Sequence, residues 1–213
     1  MSTDELSEYY DNGQIRQRYH LKDGALDGDV ISYDTSGRMV EKAQFKAGVL
    51  DGEVISYDER GEVAKKSDFK NGVLHGETSV YNGNILRAKI QFKDGKQEGE
   101  TFLYDQFGQL TARLPYVAGK QNGEAVWFDL QGRMLKKACY KDDKLNGEST
   151  EYHPNGKVRE VVNYKGDLMD GEKRTYSEDG KLKERIYYKD GKPAPAKPTI
   201  PAPATAVAAG RRR

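Results

Sequence analysis

Cysteine is nearly absent. Cys139 is the only one in 213 residues, so no intrachain disulfide can staple the chain. Such scarcity fits a reducing compartment. Long apolar runs are missing too. Mean hydropathy is −0.89, and no stretch approaches the roughly 18 apolar residues that a spanning helix needs. Charge of one sign is lacking, since 35 Lys and Arg face 34 Asp and Glu for a net +1. Without a basic field, nucleic acid is not an implied partner. The opening residues, Met1 to Leu6, carry no basic segment and no apolar segment of a secretory signal, so the expected location is cytoplasmic. At 36% hydrophobic residues, the chain is poor in material for a thick core.

What the chain does have is glycine, 23 residues, and tyrosine, 14 residues, set at a fixed period. A Gly-Glu or Gly-Asp pair falls at Gly28, Gly52, Gly76, Gly99, Gly123, Gly147 and Gly171, with gaps of 24, 24, 23, 24, 24 and 24. Five residues on comes an aromatic: Tyr33, Tyr57, Tyr81, Tyr104, Phe128, Tyr152 or Tyr176. A turn glycine follows, then an aliphatic, then a closing aromatic: Phe45, Phe69, Phe92, Tyr116, Tyr140, Tyr164 or Tyr188. One supersecondary unit copied many times produces such a pattern. The single short copy loses its residue in the turn at Tyr81-Asn82-Gly83, where an indel costs little.

Alternation of period two makes each copy two strands, and the glycines leave no room for a helix. The sequence predicts an all-β, single-layer antiparallel meander of β-hairpins of about fifteen strands. Residues 1–8 read as a polar lead-in, 9–27 as a partial first copy and 9–192 as the array. Residues 193–213, rich in Pro and Ala, read as a disordered tail.

The repeated phrase Gly-Glu-x-x-x-Tyr-x-x-x-Gly-x-aliphatic resembles the MORN repeat. Its 24-residue spacing and closing Tyr-Lys-x-Gly resemble the bacterial variant found in YwqK-family antitoxins. The resemblance implies a β-hairpin array used for binding, and a toxin or secreted effector as the protein partner.

Chemistry-bearing residues are sparse. His20, His75 and His153 occupy unrelated slots and do not form a ligand set; His75 reads as a solvated turn residue. Cys139 reads as a plain strand residue, although Lys137 and Lys141 share its face. The Gly-Glu carboxylates form a ladder better suited to pairing with a neighbouring lysine than to acid–base work. No catalytic residue, metal site or cofactor is expected.

Positions where the copies differ say more. The slot before the first aromatic reads Ser32, Ser56, Val80, Leu103, Trp127, Glu151, Thr175, placing an apolar run in the central copies on the face opposite that aromatic. Phe107 and Tyr116 lie in the same copies. Val80, Leu103, Trp127, Phe107 and Tyr116 are therefore the candidate partner-binding residues. The sequence predicts a non-catalytic protein-binding module, by resemblance an antitoxin or immunity protein. A membrane-associated scaffold is the second choice, and oligomeric state is not legible.

Overall fold

The computed structural model describes residues 5–195. Among them are 20 strand segments and no helix, joined in one antiparallel sheet. Apart from three short segments, each strand pairs with the next in the chain, from Glu5–Tyr9 on Ile15–Lys22 to Lys192–Ala194 on Leu182–Lys189. The expected all-β meander is what the chain forms. The strand count exceeds the expected fifteen partly because three strands are broken. Ala25–Leu26, Lys96–Gln97 and Lys120–Gln121 are the leading ends of the strands that follow, interrupted at Asp27, Glu98 and Asn122.

The first strand begins at Glu5, inside the stretch read as a lead-in. Tyr9 pairs with Ile15 as Tyr33 pairs with Met39, so Glu5–Tyr9 fills the first-strand role of a copy that lacks its glycine. At the other end Lys192–Ala194 adds a short strand to Tyr187–Lys189. Residues 196–213, most of the expected tail, lie outside the described residues.

The hairpins follow from local chemistry. In the Lys-x-Gly connections both central residues adopt positive φ, for example Asn71 at 50° and Gly72 at 79°. That is the two-residue hairpin geometry that matches strand twist, and it selects Asp, Asn or Gly. Asp142-Asp143 makes the same turn without glycine, at 50° and 68°. Four of the opposite connections begin on an Asp (Asp34, Asp58, Asp105 and Asp129) whose Oδ1 caps two turn amides, as Asp58 does for Arg60 and Glu62, both at 2.9 Å.

The Gly-Glu glycine answers a different need. Three residues around Gly76 bulge against Asp68, and its φ is +118°. A Cβ there would stand 2.8 Å from the Asp68 Cβ. Both backbone and space therefore demand glycine.

One row of side chains crosses the sheet in three paired runs, Val30 to Ile90, Thr101 with Leu114, and Ala125 to Val162. It reads Val30, Ala43, Val54, Ser67, Thr78, Ile90, Thr101, Leu114, Ala125, Ala138, Ser149, Val162. Most of its members are buried, and Ala125 and Ala138 completely so. A single layer can bury small side chains between taller neighbouring rows, and this explains why the core is Ala, Val, Ser and Thr rather than Leu and Phe. Ser67 and Thr78 enter it by bonding hydroxyl to hydroxyl at 3.1 Å.

Candidate functional site

The varying slot lies one row from this core, on the same face. Lys65 pairs with Val80, Val80 with Ala88, Ala88 with Leu103, Leu103 with Ala112, Ala112 with Trp127, and Trp127 with Lys136. Val80, Ala88, Leu103, Ala112 and Trp127 thus make five consecutive strands of apolar side chain bounded by a lysine at each end. Outside those lysines the row is Ser32, Glu41 and Ser56 on one side and Glu151, Glu160, Thr175 and Glu184 on the other. Val80, Leu103 and Trp127 are half-buried. Trp127 is braced by Tyr140, with ring centroids 6.4 Å apart, and by the Lys136 ammonium 5.9 Å from its ring.

The sheet puts the five sequence-derived candidates in three places. Val80, Leu103 and Trp127 share this row. Tyr116 is in the closing-aromatic row of the same face, paired with Gly99. Phe107 is on a turn at the sheet edge, 70% exposed. Sequence reasoning missed Ala88 and Ala112. Their signal is the slot four residues before each closing aromatic, which reads Glu41, Lys65, Ala88, Ala112, Lys136, Glu160, Glu184. It joins the first slot only once the inter-strand register is known.

The other face is an ion-pair ladder. The Gly-Glu carboxylates reach diagonally to the partner strand. Asp29 meets Lys42 at 2.7 Å, Glu77 meets Lys89 at 3.2 Å, Glu100 meets Arg113 at 3.2 Å and Glu124 meets Lys137 at 3.4 Å. The expected structural role of these acids is what the geometry provides. The Asp29 hydrogen bond raises the Lys42 pKa, and the Glu124 charge raises that of Lys137. The Ser79 hydroxyl, with help from Lys89, holds Glu77 below its ordinary value. Such exposed pairs contribute roughly 0.2–1 kcal/mol each.

Histidine and cysteine also serve structure. His75 Nδ1 lies 3.2 Å from Asp94 Oδ1, at the slot where Asp51 Oδ2 accepts from the Asn71 amide. His153 Nε2 lies 3.0 Å from the Tyr176 carbonyl oxygen. The Cys139 Cβ would stand 3.0 Å from a Cβ placed on Gly147, packed into the bulge that Asp68 fills elsewhere. Among the described residues no group of three His, Cys, Asp or Glu could hold a metal ion.

Along one edge, side chains lace most of the turns there to the neighbouring copy. Tyr10 Oη donates to the Tyr33 carbonyl, Arg38 Nη1 to the Glu59 carbonyl and Asn84 Nδ2 to Glu62. Arg133 Nη1 donates to the Pro154 carbonyl and Lys157 Nζ to the Asp179 carbonyl. Among the described residues no such bond crosses the two junctions beside turn 105–109. There the exposed side chains are Ile85, Phe107 and Leu130, and a cleft of about 640 Å³ opens, lined by Gln109, Leu110, Phe128, Leu130, Gln131 and Gly132. Both the apolar row and the unlaced junctions fall in the copies that start at Gly76, Gly99 and Gly123.

Four segments, 5–23, 50–71, 145–165 and 169–190, match the MORN repeat variant. No curated protein matches the chain. Among solved structures, the GtfA/B complex bound to UDP and GlcNAc is 20% identical over 53% of this chain and 22% of that one, with a TM-score of 0.23. TcdB2-TccC3 is 12% identical over 89% of this chain and 14% of that one, also at 0.23. The chain spans less than a quarter of either, and at these scores neither fold nor activity transfers. The repeat match and the open sheet together describe a repeat-based binding module.

Proposed function

We propose that the array is a non-catalytic protein-binding module whose partner lies on the central apolar row, and that it acts as an antitoxin or immunity protein by covering a toxin's working surface. The observation that carries this reading is the row Val80–Ala88–Leu103–Ala112–Trp127, uninterrupted on a face otherwise lined at that level by Ser, Thr, Lys and Glu. A preformed sheet loses little conformational entropy on binding, so apolar contact there converts efficiently into affinity. Trp127, held by Tyr140 and Lys136, is the kind of rigid aromatic anchor on which interfaces concentrate their energy. The YwqK-family resemblance supports the antitoxin reading.

The variant Leu103→Glu tests it without threatening the fold, because Glu151 occupies the same slot in another copy. A protein captured from native lysate by the wild-type chain should be lost with Leu103→Glu. Expressed alone it should arrest growth, and coexpressed wild-type chain but not Leu103→Glu should relieve the arrest. Equal capture by both chains contradicts the binding row. A captured protein that is harmless contradicts the antitoxin role. The near-balanced charge weighs against the membrane-scaffold alternative. Salt-sensitive flotation of the wild-type chain with anionic vesicles, and no protein captured, would favour it.

A further inference from the structure

The break in the edge lacing has a definite shape, and it deepens the partner-binding reading on which it rests. In two copies the Asp-type turn holds a guanidinium. Asp34 uses Oδ1 to accept from the Ser36 and Arg38 amides, and its Oδ2 accepts from Arg38 Nε at 2.8 Å. Arg38 Nη1 then donates to the Glu59 carbonyl in the next copy's turn at 2.8 Å. Asp129 repeats every part of this. Oδ1 accepts from the Gln131 and Arg133 amides, Oδ2 accepts from Arg133 Nε at 2.7 Å, and Arg133 Nη1 reaches the Pro154 carbonyl at 2.9 Å. In each, a planar fork spans a carboxylate and a carbonyl one repeat apart.

Asp105 builds the same turn. Its Oδ1 accepts from the Phe107 and Gln109 amides at 2.8 and 2.9 Å. The arginine slot, however, holds Gln109, whose side chain makes no hydrogen bond among the described residues. Asp105 Oδ2 is consequently buried with no partner. Position for position, the second acceptor of the fork is the Leu130 carbonyl, which receives no donor among the described residues. Gln109 and Leu130 both line the open cleft between these turns, together with Phe128.

We propose that this cleft between turns 105–109 and 129–133 receives an arginine side chain from the protein partner. The incoming guanidinium supplies in trans what Arg38 and Arg133 supply in cis: one N–H to Asp105 Oδ2 and one to the Leu130 carbonyl. Its flat faces suit the Phe128 ring that lines the cleft. Gln109 is itself exposed and can swing aside to admit it. A lysine ammonium is a point charge and cannot span both acceptors, so the site discriminates arginine from lysine.

The probe is the blocked peptide acetyl-Gly-Arg-Gly-amide, titrated into the full chain and followed by amide NMR shifts, with acetyl-Gly-Lys-Gly-amide alongside. Saturable shifts at Gln109, Leu130 and Gln131, with at least tenfold weaker binding of the lysine peptide, are expected. Gln109→Arg restores the slot found at Arg38 and Arg133, so it should fold, raise the melting temperature and abolish the arginine-peptide shifts. Asp105→Asn should weaken binding at least tenfold. Undiminished peptide binding by Gln109→Arg overturns the proposal, as does equal binding of the two peptides or an absence of localised shifts. A partner lost with Leu103→Glu but captured normally by Gln109→Arg refutes the arginine site and leaves the binding row standing. Peptide binding with no captured partner does the reverse.

Discussion

At the scale of single residues the turns carry unequal strain. Ala118 sits at φ 51° in a two-residue hairpin where sister copies place Asn71 or Asp94 at 50°. An alanine pays for left-handed backbone with Cβ crowding that Asn and Asp offset through local hydrogen bonds. Ala118→Asn should therefore raise the unfolding free energy by about 0.5–1 kcal/mol, seen as a higher urea midpoint at unchanged slope. The Gly-Glu glycines work in the opposite sense. Gly76→Ala forces a Cβ onto Asp68 at a φ of +118° and should lower stability by about 2 kcal/mol or more in the same titration. The turn glycines were legible from their period; that the Gly-Glu glycines sit in bulges was not. The alanine strain was not, because nothing in the letter Ala at positions 47 and 118 marks positive φ. It appears only when those copies are laid over the Asp and Asn copies. The arginine-shaped cleft was hidden for a similar reason. Gln109 in place of Arg38 or Arg133 is visible in the sequence, but the orphaned Asp105 oxygen is a fact of packing.

Strands and their ladders set the response to pH. Glu77 is held below its ordinary 4.5 by Ser79 and Lys89, so the folded state binds that proton more weakly than the unfolded chain. Its contribution is present above pH 4.5 and is lost as pH falls through the lowered value. Lys42, Lys137 and Lys173 are raised above 10.5 by acid partners, and burial raises Tyr140 and Tyr164 above 10.0. Those contributions are complete below the ordinary values and are lost as pH rises through the raised ones. Melting temperature should accordingly be flat between about pH 5 and 10 and fall on both sides, and Glu77→Gln should soften the acid limb. A wild-type melting temperature that climbs steadily across that interval would contradict the ladder account. Strand identity was readable from alternation, as the strand Val63–Lys70 shows. Register between copies was not, because the bulges at Gly52, Gly76 and their equivalents shift it without a separate sequence mark. That shift is why Ala88 and Ala112 were absent from the sequence-derived row.

The whole molecule is a chain of neighbours, each copy packing on the one before and the one after. Deleting residues 52–75 removes one full period and joins Asp51 to Gly76, preserving the phrase at the junction. The shortened chain should still unfold cooperatively, with a stability reduced by roughly one copy's share. Against this uniform frame the centre is distinct in two independent ways, in the apolar row on the face and in the unlaced junctions on the edge. Function is therefore assigned to a region of the array rather than to a residue cluster in a cavity. The measurement that tests this most directly compares two substitutions in one row of the sheet, Leu103→Glu at the centre and Ser56→Glu towards the end, by quantitative capture of the partner from native lysate. Leu103→Glu should lose at least tenfold in capture, and Ser56→Glu should capture as the wild type does. Equal capture by the two variants would contradict the assignment to the centre.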